Sequence, residues 1–465
     1  MASASDLTLK TISWQPVGGE RQYRVYVILG NQWGDEGKGK VMRMYLIGTG
    51  NRAKARYCIR FNGGPNAGHT IILDRSDPEL FAGPGFQRNG PRIKFATHQL
   101  PSGILFGIPS IIGYNCVVDL VKLGKEIEEV AALLCRSVEE IQELLTICPQ
   151  AHLITDELIA QDRANNAVGT TGSGIGPTYS AKALRTGHQI QSIFHWDKTK
   201  QAPGLTIPAS MAPQVIETTA GVLMLGRIRV ADITGLADTL GYADTVVMEG
   251  AQGFWLDANH GKYPYVTSSC CTAAAACEYG FLFRNIYPVG ISKMYPTYVG
   301  ALQMEPGFEQ DVKHSGRLEL LRLIAREYGV TTGRRRQVMW MIVDHEIKAL
   351  KINQSHDWII NKSDVLPELQ TALDMAHGGT LYLHADPAVA AYGQFLLANP
   401  AVIETLPRSA YNFYYKGELC TFGSLAAMKT RLYAIVHEAN LAVQPRIVTY
   451  DTPESHVAFN TPFLV

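Results

Sequence analysis

Residues 26–41, YVILGNQWGDEGKGKV, constrain the fold more tightly than any other stretch of the chain. An apolar run of strand character feeds a glycine-rich turn, and a helix follows at once. Gly34, Gly39 and Lys40 fit the pattern G-x-x-x-x-G-K, in which bare backbone N–H groups and a lysine cradle a polyphosphate. The next position normally carries Ser or Thr, whose hydroxyl holds Mg²⁺. Here it is Val41, which has no oxygen to offer. Asp35, inside the turn, is the natural replacement ligand and also a candidate base. The loop reads as one built to bind a nucleotide and to take part in chemistry on it.

Strand-like runs recur at Arg24–Gly30, residues 54–61, Thr245–Glu249, residues 289–294, Asp357–Asn361 and Arg446–Tyr450. Helical spacing of apolar residues marks 119–135, 317–328, 338–348 and 424–440. The alternation predicts an α/β fold of P-loop type, with a largely parallel central sheet flanked by helices, inserted loops and small subdomains. Residues 74–92, rich in Gly, Pro and charge, read as a surface loop or insertion. The chemically suggestive motifs run from 34 to 364, so the expected organisation is a tail at 1–22 and one catalytic unit over 23–465.

Lys plus Arg equals Asp plus Glu, 42 against 42, which argues against nucleic acid or a membrane surface as partner. No run approaches the ~18 apolar residues that span a bilayer. Residues 1–20 have neither an apolar signal core nor an arginine-rich pattern. Eight cysteines without a C-x-x-C pair read as reduced thiols. A cytoplasmic protein is the expectation.

Five further clusters carry chemistry, three of them with a plainer reading beside them. RFNGGPNAGHT at 60–70 puts Asn66, to read a polar edge, and His69, to donate a proton, on a glycine-rich turn; the plainer reading is a turn with a structural histidine. GTTGSGIGPTY at 169–179, followed by Lys182 and Arg185, suits a phosphate, with a helix starting after Pro177; a Gly/Thr surface loop is the alternative. EGAQG at 249–253 follows a strand, so Gln252 and Thr267 belong where open α/β sheets bind ligands. VTTGRRR at 330–336 suits carboxylate and phosphate oxygens, or is a solvated basic turn. In Asn361-Lys362-Ser363-Asp364 the aspartate can accept from both N1–H and the 2-amino group of guanine, a donor pair that adenine lacks.

Together and in order, these clusters and the segments LPSGIL (100–105) and HGKYPYVTSS (260–269) resemble the adenylosuccinate synthetase family over roughly residues 24–365. The resemblance implies a GTP-dependent C–N ligase of purine nucleotide (AMP) biosynthesis. It would join L-aspartate to IMP through a 6-phosphoryl-IMP intermediate and release adenylosuccinate, GDP and phosphate. By residue-wise carry-over, Asp35 takes the N1 proton of IMP, His69 donates to the developing charge, Gln252 holds the purine and Lys38 balances phosphate charge. Gly34, Glu36, Gly37, Gly39, Lys40, Thr70, Arg336, Lys362 and Asp364 serve GTP. Asn66, Ala67, Thr171, Arg185, Thr267 and Arg334 contact IMP, with Arg185 reaching across a homodimer interface. Val330, Thr331, Thr332, Gly333 and Arg334 hold the aspartate. Asp35 and the Gly68 carbonyl bind Mg²⁺, the implied cofactor.

The chain departs from the family pattern in places. Ser173 and Tyr298 stand where arginines are usual, Tyr450 stands where a small turn residue is usual, and the sequence beyond Asp364 is less typical. A lost charged hydrogen bond weakens carboxylate binding by about 1.5–3 kcal/mol, although Arg335 or Lys182 is available to compensate. Two other readings therefore stay open. One is a paralogue with the same 6-phosphoryl chemistry on GMP, dGMP or with another amine. The other is a non-catalytic guanine-nucleotide-binding module, which has no need of Asp35 and His69 together. Val41 disfavours a P-loop kinase.

Overall fold

The computed structural model describes residues 23–48, 53–165, 169–195, 204–216, 222–300, 302, 318–329, 333–380, 382 and 384–450. Its frame is one sheet of eleven strands: β1 (Arg24–Gly30), β2 (Tyr57–Arg60), β3 (Ser110–Ile112), β4 (Leu145–Ile147), β5 (Pro213–Ile216), β6 (Val222–Leu225), β7 (Ile228–Val230), β8 (Thr245–Glu249), β9 (Ile286–Lys293), β10 (Asp357–Asn361) and β11 (Arg446–Tyr450). The spatial order is β11-β10-β9-β1-β8-β2-β3-β4-β7-β6-β5. Every pairing from β11 to β7 is parallel, and only the β7-β6-β5 meander runs antiparallel.

β1 is apolar on both sides because both sides are covered. Tyr26 and Ile28 face one core with Val41, Met42 and Leu123, while Val25, Val27 and Leu29 face a second with Val246 and Ala276. The chain leaves β1 outward through β2, β3 and β4. It returns to insert β8 beside β1, then crosses to β9, β10 and β11. That reversal puts a switch point at β8, β1 and β9, where open α/β sheets bind ligands at the carboxyl ends of their strands.

The flanking helices are α1 (Lys38–Leu46), α2 (Leu120–Leu134), α3 (Ile175–Leu184), α4 (Val343–Asn353), α5 (Val365–His377) and α6 (Leu425–Glu438). Asp119 caps α2 by accepting from the Lys122 N–H at 3.0 Å, and Cys135, at φ 53°, ends it. Four of the six expected strands appear with the expected bounds, and the other two are shifted to Tyr57–Arg60 and Ile286–Lys293.

The helices show three corrections. The stretch 338–342, VMWMI, is buried throughout, so it is extended chain and α4 begins only at Val343. The helix expected over 317–328 shrinks to Glu319–Ile324 among the described residues. The helix α3 starts at Ile175, two residues before Pro177, because Gly174 supplies a left-handed turn at φ 78°. Residues 74–92 are more than a surface loop. They join an antiparallel hairpin, His69–Leu73 with Ile93–Thr97, and tuck Leu80 into the core. Asp77 pairs with Arg43 at 2.5 Å and the Arg136 guanidinium lies 4.2 Å from the Phe81 ring. All eight cysteines are free thiols. No helix among the described residues is long and apolar enough to cross a membrane.

Candidate active site

The loop after β1 is held from within. Gly34 (φ 103°) and Gly37 (φ 83°) adopt conformations that an L side chain resists, and Gly37 caps the N-terminus of α1 without a side chain over it. The first-turn N–H groups and positive dipole end of α1 therefore face the loop, the arrangement that favours an anion. Glu36 is fully buried and its carboxylate turns inward, accepting from the N–H groups of Gln32 (3.1 Å) and Gly34 (2.8 Å) and from Lys38 Nζ (2.8 Å). Lys38 is buried too, donating to the carbonyls of Gly34 (3.0 Å) and Gln252 (2.5 Å). Side chains assigned to nucleotide thus brace the loop here, and Lys38 ties it to the loop after β8. Asn361, at the end of β10, braces it from the other side by donating to the Glu36 carbonyl at 2.7 Å. A Cβ on Gly39 would drive into the Thr70 carbonyl, so the hairpin packs directly on α1.

Asp35 stands at the mouth of this loop with its side chain 34% exposed. Both carboxylate oxygens meet Arg336, Nε at 2.8 Å and Nη2 at 3.1 Å. Arg336 also donates to Glu327 at 2.6 Å. Glu327 accepts from Lys293 Nζ (3.1 and 3.2 Å) and the Tyr295 hydroxyl (3.0 Å). Burial would raise the Glu327 carboxyl, but Lys293, Arg336 and Lys362 outweigh it and hold it at about 2.

A second buried knot surrounds His69. Its Nδ1 meets Glu249 at the end of β8 and lies 2.9 Å from Arg60 Nη1 at the end of β2. Burial, reinforced by Arg60 and opposed by Glu249, lowers the imidazole to about 4. Glu249 is pushed up by burial and pulled down further by His69, Arg60 and the Ser102 N–H, ending at about 2. The ring is therefore neutral and the carboxylate ionised around neutral pH.

Gln252 adopts φ 56°, an uncommon conformation for a residue with a side chain. Its amide donates to Asn66 Oδ1 at 3.2 Å and accepts from Ser269 Oγ at 3.3 Å. The Asn66 and Gln252 loops thus form one wall, and Tyr179 of α3 leans on it, accepting from the Gly63 N–H at 3.1 Å. Ala67 is buried and Gly68 exposed between Asn66 and His69. The Thr267 N–H donates to the Leu256 carbonyl at 2.7 Å, fixing that loop under the same wall.

The remaining expected residues lie further out. Thr171 and Arg185 flank α3, both exposed. Arg334 is exposed, and Gly333 (φ 63°) closes a turn onto the Gly329 carbonyl at 2.8 Å. Val330, Thr331 and Thr332 lie outside the described residues. Lys362, at φ 66°, donates to the Ala325 carbonyl at 3.4 Å, and Asp364 sits at the N-cap position of α5 without a side-chain capping bond. Arg335 is engaged by Glu319 at 2.7 Å and Lys182 by Asn115 at 3.1 Å, so each is already tied elsewhere. Sequence reasoning did not single out Arg60, Glu249, Lys293, Ser102 or Glu327. The first three each end an apolar strand with a charge, which was the available signal. Nothing in the sequence marks Glu327.

The adenylosuccinate synthetase family model matches residues 27–378. The adenylosuccinate synthetase of Acidothermus cellulolyticus is 34% identical over 367 residues, covering 74% of this chain and 78% of that one. Among solved structures, the fully ligated adenylosuccinate synthetase of Plasmodium falciparum superposes with a TM-score of 0.54 at 28% identity, covering 74% and 77%. The succinoaminodeoxyadenylate synthetase of cyanophage S-2L, bound to dGMP and dATP, superposes with a TM-score of 0.50 at 19% identity over 89% and 99%, a likeness of fold. With more than two thirds of its length matched by the family model, this chain is a ligase that belongs to the adenylosuccinate synthetase family.

Proposed function

We propose that the chain, acting as one catalytic unit, joins L-aspartate to IMP at the expense of GTP, through 6-phosphoryl-IMP. The observation that carries this reading is the linkage of three loops at the switch point. Lys38 bonds both the Asp35 loop and Gln252, and Gln252 bonds Asn66, three residues from His69. That linkage supports assigning a base, a purine-holding amide and an imidazole to one site beside the N-terminus of α1. In this reading Asp35 accepts the N1 proton, and O6 attacks the γ-phosphorus as GDP leaves, with His69 meeting the transferring group. The aspartate amine then displaces phosphate from C6, losing its proton. Phosphoryl transfer of this kind depends on positioning and electrostatics more than on covalent chemistry by the protein.

The donor set also suits Mg²⁺. Asp35 offers one carboxylate and the exposed residue Gly68 one carbonyl, and among the described residues no group of three or more His, Cys, Asp or Glu side chains could hold a metal. Mg²⁺ accepts so sparse a protein share because it keeps waters and substrate phosphates in its shell. When bound it would neutralise charge on the phosphates. Arg185, exposed beside Leu184 at the end of α3, fits a homodimer in which it reaches the neighbouring subunit's IMP phosphate.

Chromatographic product analysis with IMP, GTP, Mg²⁺ and L-aspartate tests the proposal: adenylosuccinate and GDP should appear in equal amounts, and only when aspartate is present. One observation favours a second reading, the same chemistry on GMP or dGMP or with another amine. Tyr298, at an expected arginine position, is 6% exposed and packed in an apolar cluster with Trp33 and Trp255. Product from one of those substrates, and none from IMP with aspartate, would establish it.

A further inference from the structure

The LPSGIL segment has no part in the reaction as proposed, yet its Ser102 is fully buried against Glu249. The Ser102 N–H donates to Oε2 at 2.8 Å and its hydroxyl to Oε1 at 2.8 Å. Arg60 Nη1 adds a third contact at 3.3 Å. The segment is itself anchored from α2, where Glu126 accepts from the N–H groups of Gln99 (2.9 Å) and Leu100 (3.3 Å). Glu249 is 0% exposed, Arg60 2% and His69 4%, so this set of contacts has little room to rearrange.

Every group around the Glu249 carboxylate is a donor, and an ionised carboxylate only accepts. The ring atom of His69 that faces it, Nδ1, also has the Arg60 Nη1 donor at 2.9 Å. It meets the carboxylate attractively only by carrying the hydrogen itself, which leaves Arg60 a donor to Glu249 rather than to the ring. Nε2 is left as the ring atom through which His69 can meet a ligand. A histidine held by a single rotatable pair of bonds would otherwise sample both tautomers and several planes.

We propose that Glu249, locked by Ser102 and Arg60, is a positioning residue that fixes the tautomer and plane of His69 so that Nε2 is presented to the transferring phosphoryl group. The inference rests on the proposed role of His69, and the test separates the two. Proteins labelled with ¹⁵N-histidine are compared as wild type, E249Q and H69N, the last assigning the His69 signals. The wild type should show the Nδ1–H form, and E249Q should lose it. No substrate is needed, so this result stands whichever purine or amine the enzyme uses.

Kinetics on the productive substrate pair then measure the coupling. E249Q should lower kcat about 10–100-fold, the range seen when a group orienting a functional histidine is removed, with KM for both nucleotides within about twofold. In the H69N background the same substitution should cost nothing further, because the residue acts through His69. E249D retains the charge and serves if E249Q does not fold; its smaller loss should likewise vanish beside H69N. An Nε2–H form in the wild type, or an equal loss in both backgrounds, would overturn the proposal.

Discussion

Two buried glutamates flank the phosphate loop, and their networks differ in where they end. Glu249 is enclosed by His69, Arg60 and Ser102, all nearly inaccessible to water. Glu327 gathers Lys293, Tyr295 and Arg336, but Arg336 passes the chain of charge on to Asp35, which reaches the surface. The first network is closed and fixes a geometry. The second is open at one end, where Arg336 and Asp35 meet solvent, so in the proposed reading an anionic ligand would compete for Arg336 and free Asp35. Both carboxylates sit at about 2, yet in the proposed reading one would serve orientation and the other would couple Asp35 to the arrival of a ligand.

The largest effect should come from the open end. Asp35→Ala removes the proposed base and should cost about 10³-fold in kcat, with GTP affinity by calorimetry within a few-fold. Activity within tenfold of wild type would place the base elsewhere and break the contrast. Next comes the buried middle of the same network. Glu327→Ala leaves Lys293 and Arg336 facing each other without their shared anion, and should destabilise by about 3–5 kcal/mol in urea unfolding. If stability is unchanged, water already reaches the site and the network is open along its whole length.

Much of this arrangement can be read before any coordinates. The strand–loop–helix at Arg24–Leu46 announces itself because a doubly buried strand and a glycine turn impose both composition and spacing. Asp35, His69 and Gln252 stand out as polar residues among glycines just after such strands. Ser110–Ile112 and Leu145–Ile147 are too short to show a period, although they extend the sheet. At 338–342 the continuous apolar run satisfies helix and strand templates alike, and only burial on all sides decides for extended chain. Glu327 is illegible for another reason. Its importance lies wholly in three-dimensional neighbours, Lys293 and Arg336, and a charged residue after a short helix reads as solvated surface.

A third buried carboxylate sharpens the contrast by having no cation. Glu346 of α4 touches the start of the phosphate loop, accepting from Gln32 Nε2 at 2.7 Å and Ser292 Oγ at 2.6 Å. Burial raises it to about 7. Its folded value lies above the unfolded ~4.3, so it favours the fold at low pH and that contribution is lost as pH rises from ~4.3 through 7. Glu249 and Glu327 behave oppositely, because their folded values are depressed. Their stabilisation is present above ~4.3 and disappears as pH falls toward 2. Glu346→Gln should therefore gain on the order of 1–2 kcal/mol at pH 8 and little at pH 4. Thermal unfolding at the two pH values reads this out, and an equal change at both would show that Glu346 does not titrate with folding.

The smallest effect belongs to a pair with similar geometry but open to water. Arg446 on the edge strand β11 meets both oxygens of Asp357, at 2.9 and 3.0 Å, with its own side chain 54% exposed. Asp357 keeps the Tyr45 hydroxyl at 2.7 Å when the arginine is gone. Asp357 is itself only 8% exposed, but removing the half-exposed arginine opens that side of the carboxylate to solvent. Arg446→Ala should cost about 0.5–1 kcal/mol and be weakened further by salt, whereas Glu327→Ala should be nearly salt-independent. A loss comparable to that of Glu327→Ala would mean that bidentate geometry rather than burial sets the worth of these networks. The distinction between the closed and open sites would then have to be drawn from geometry alone.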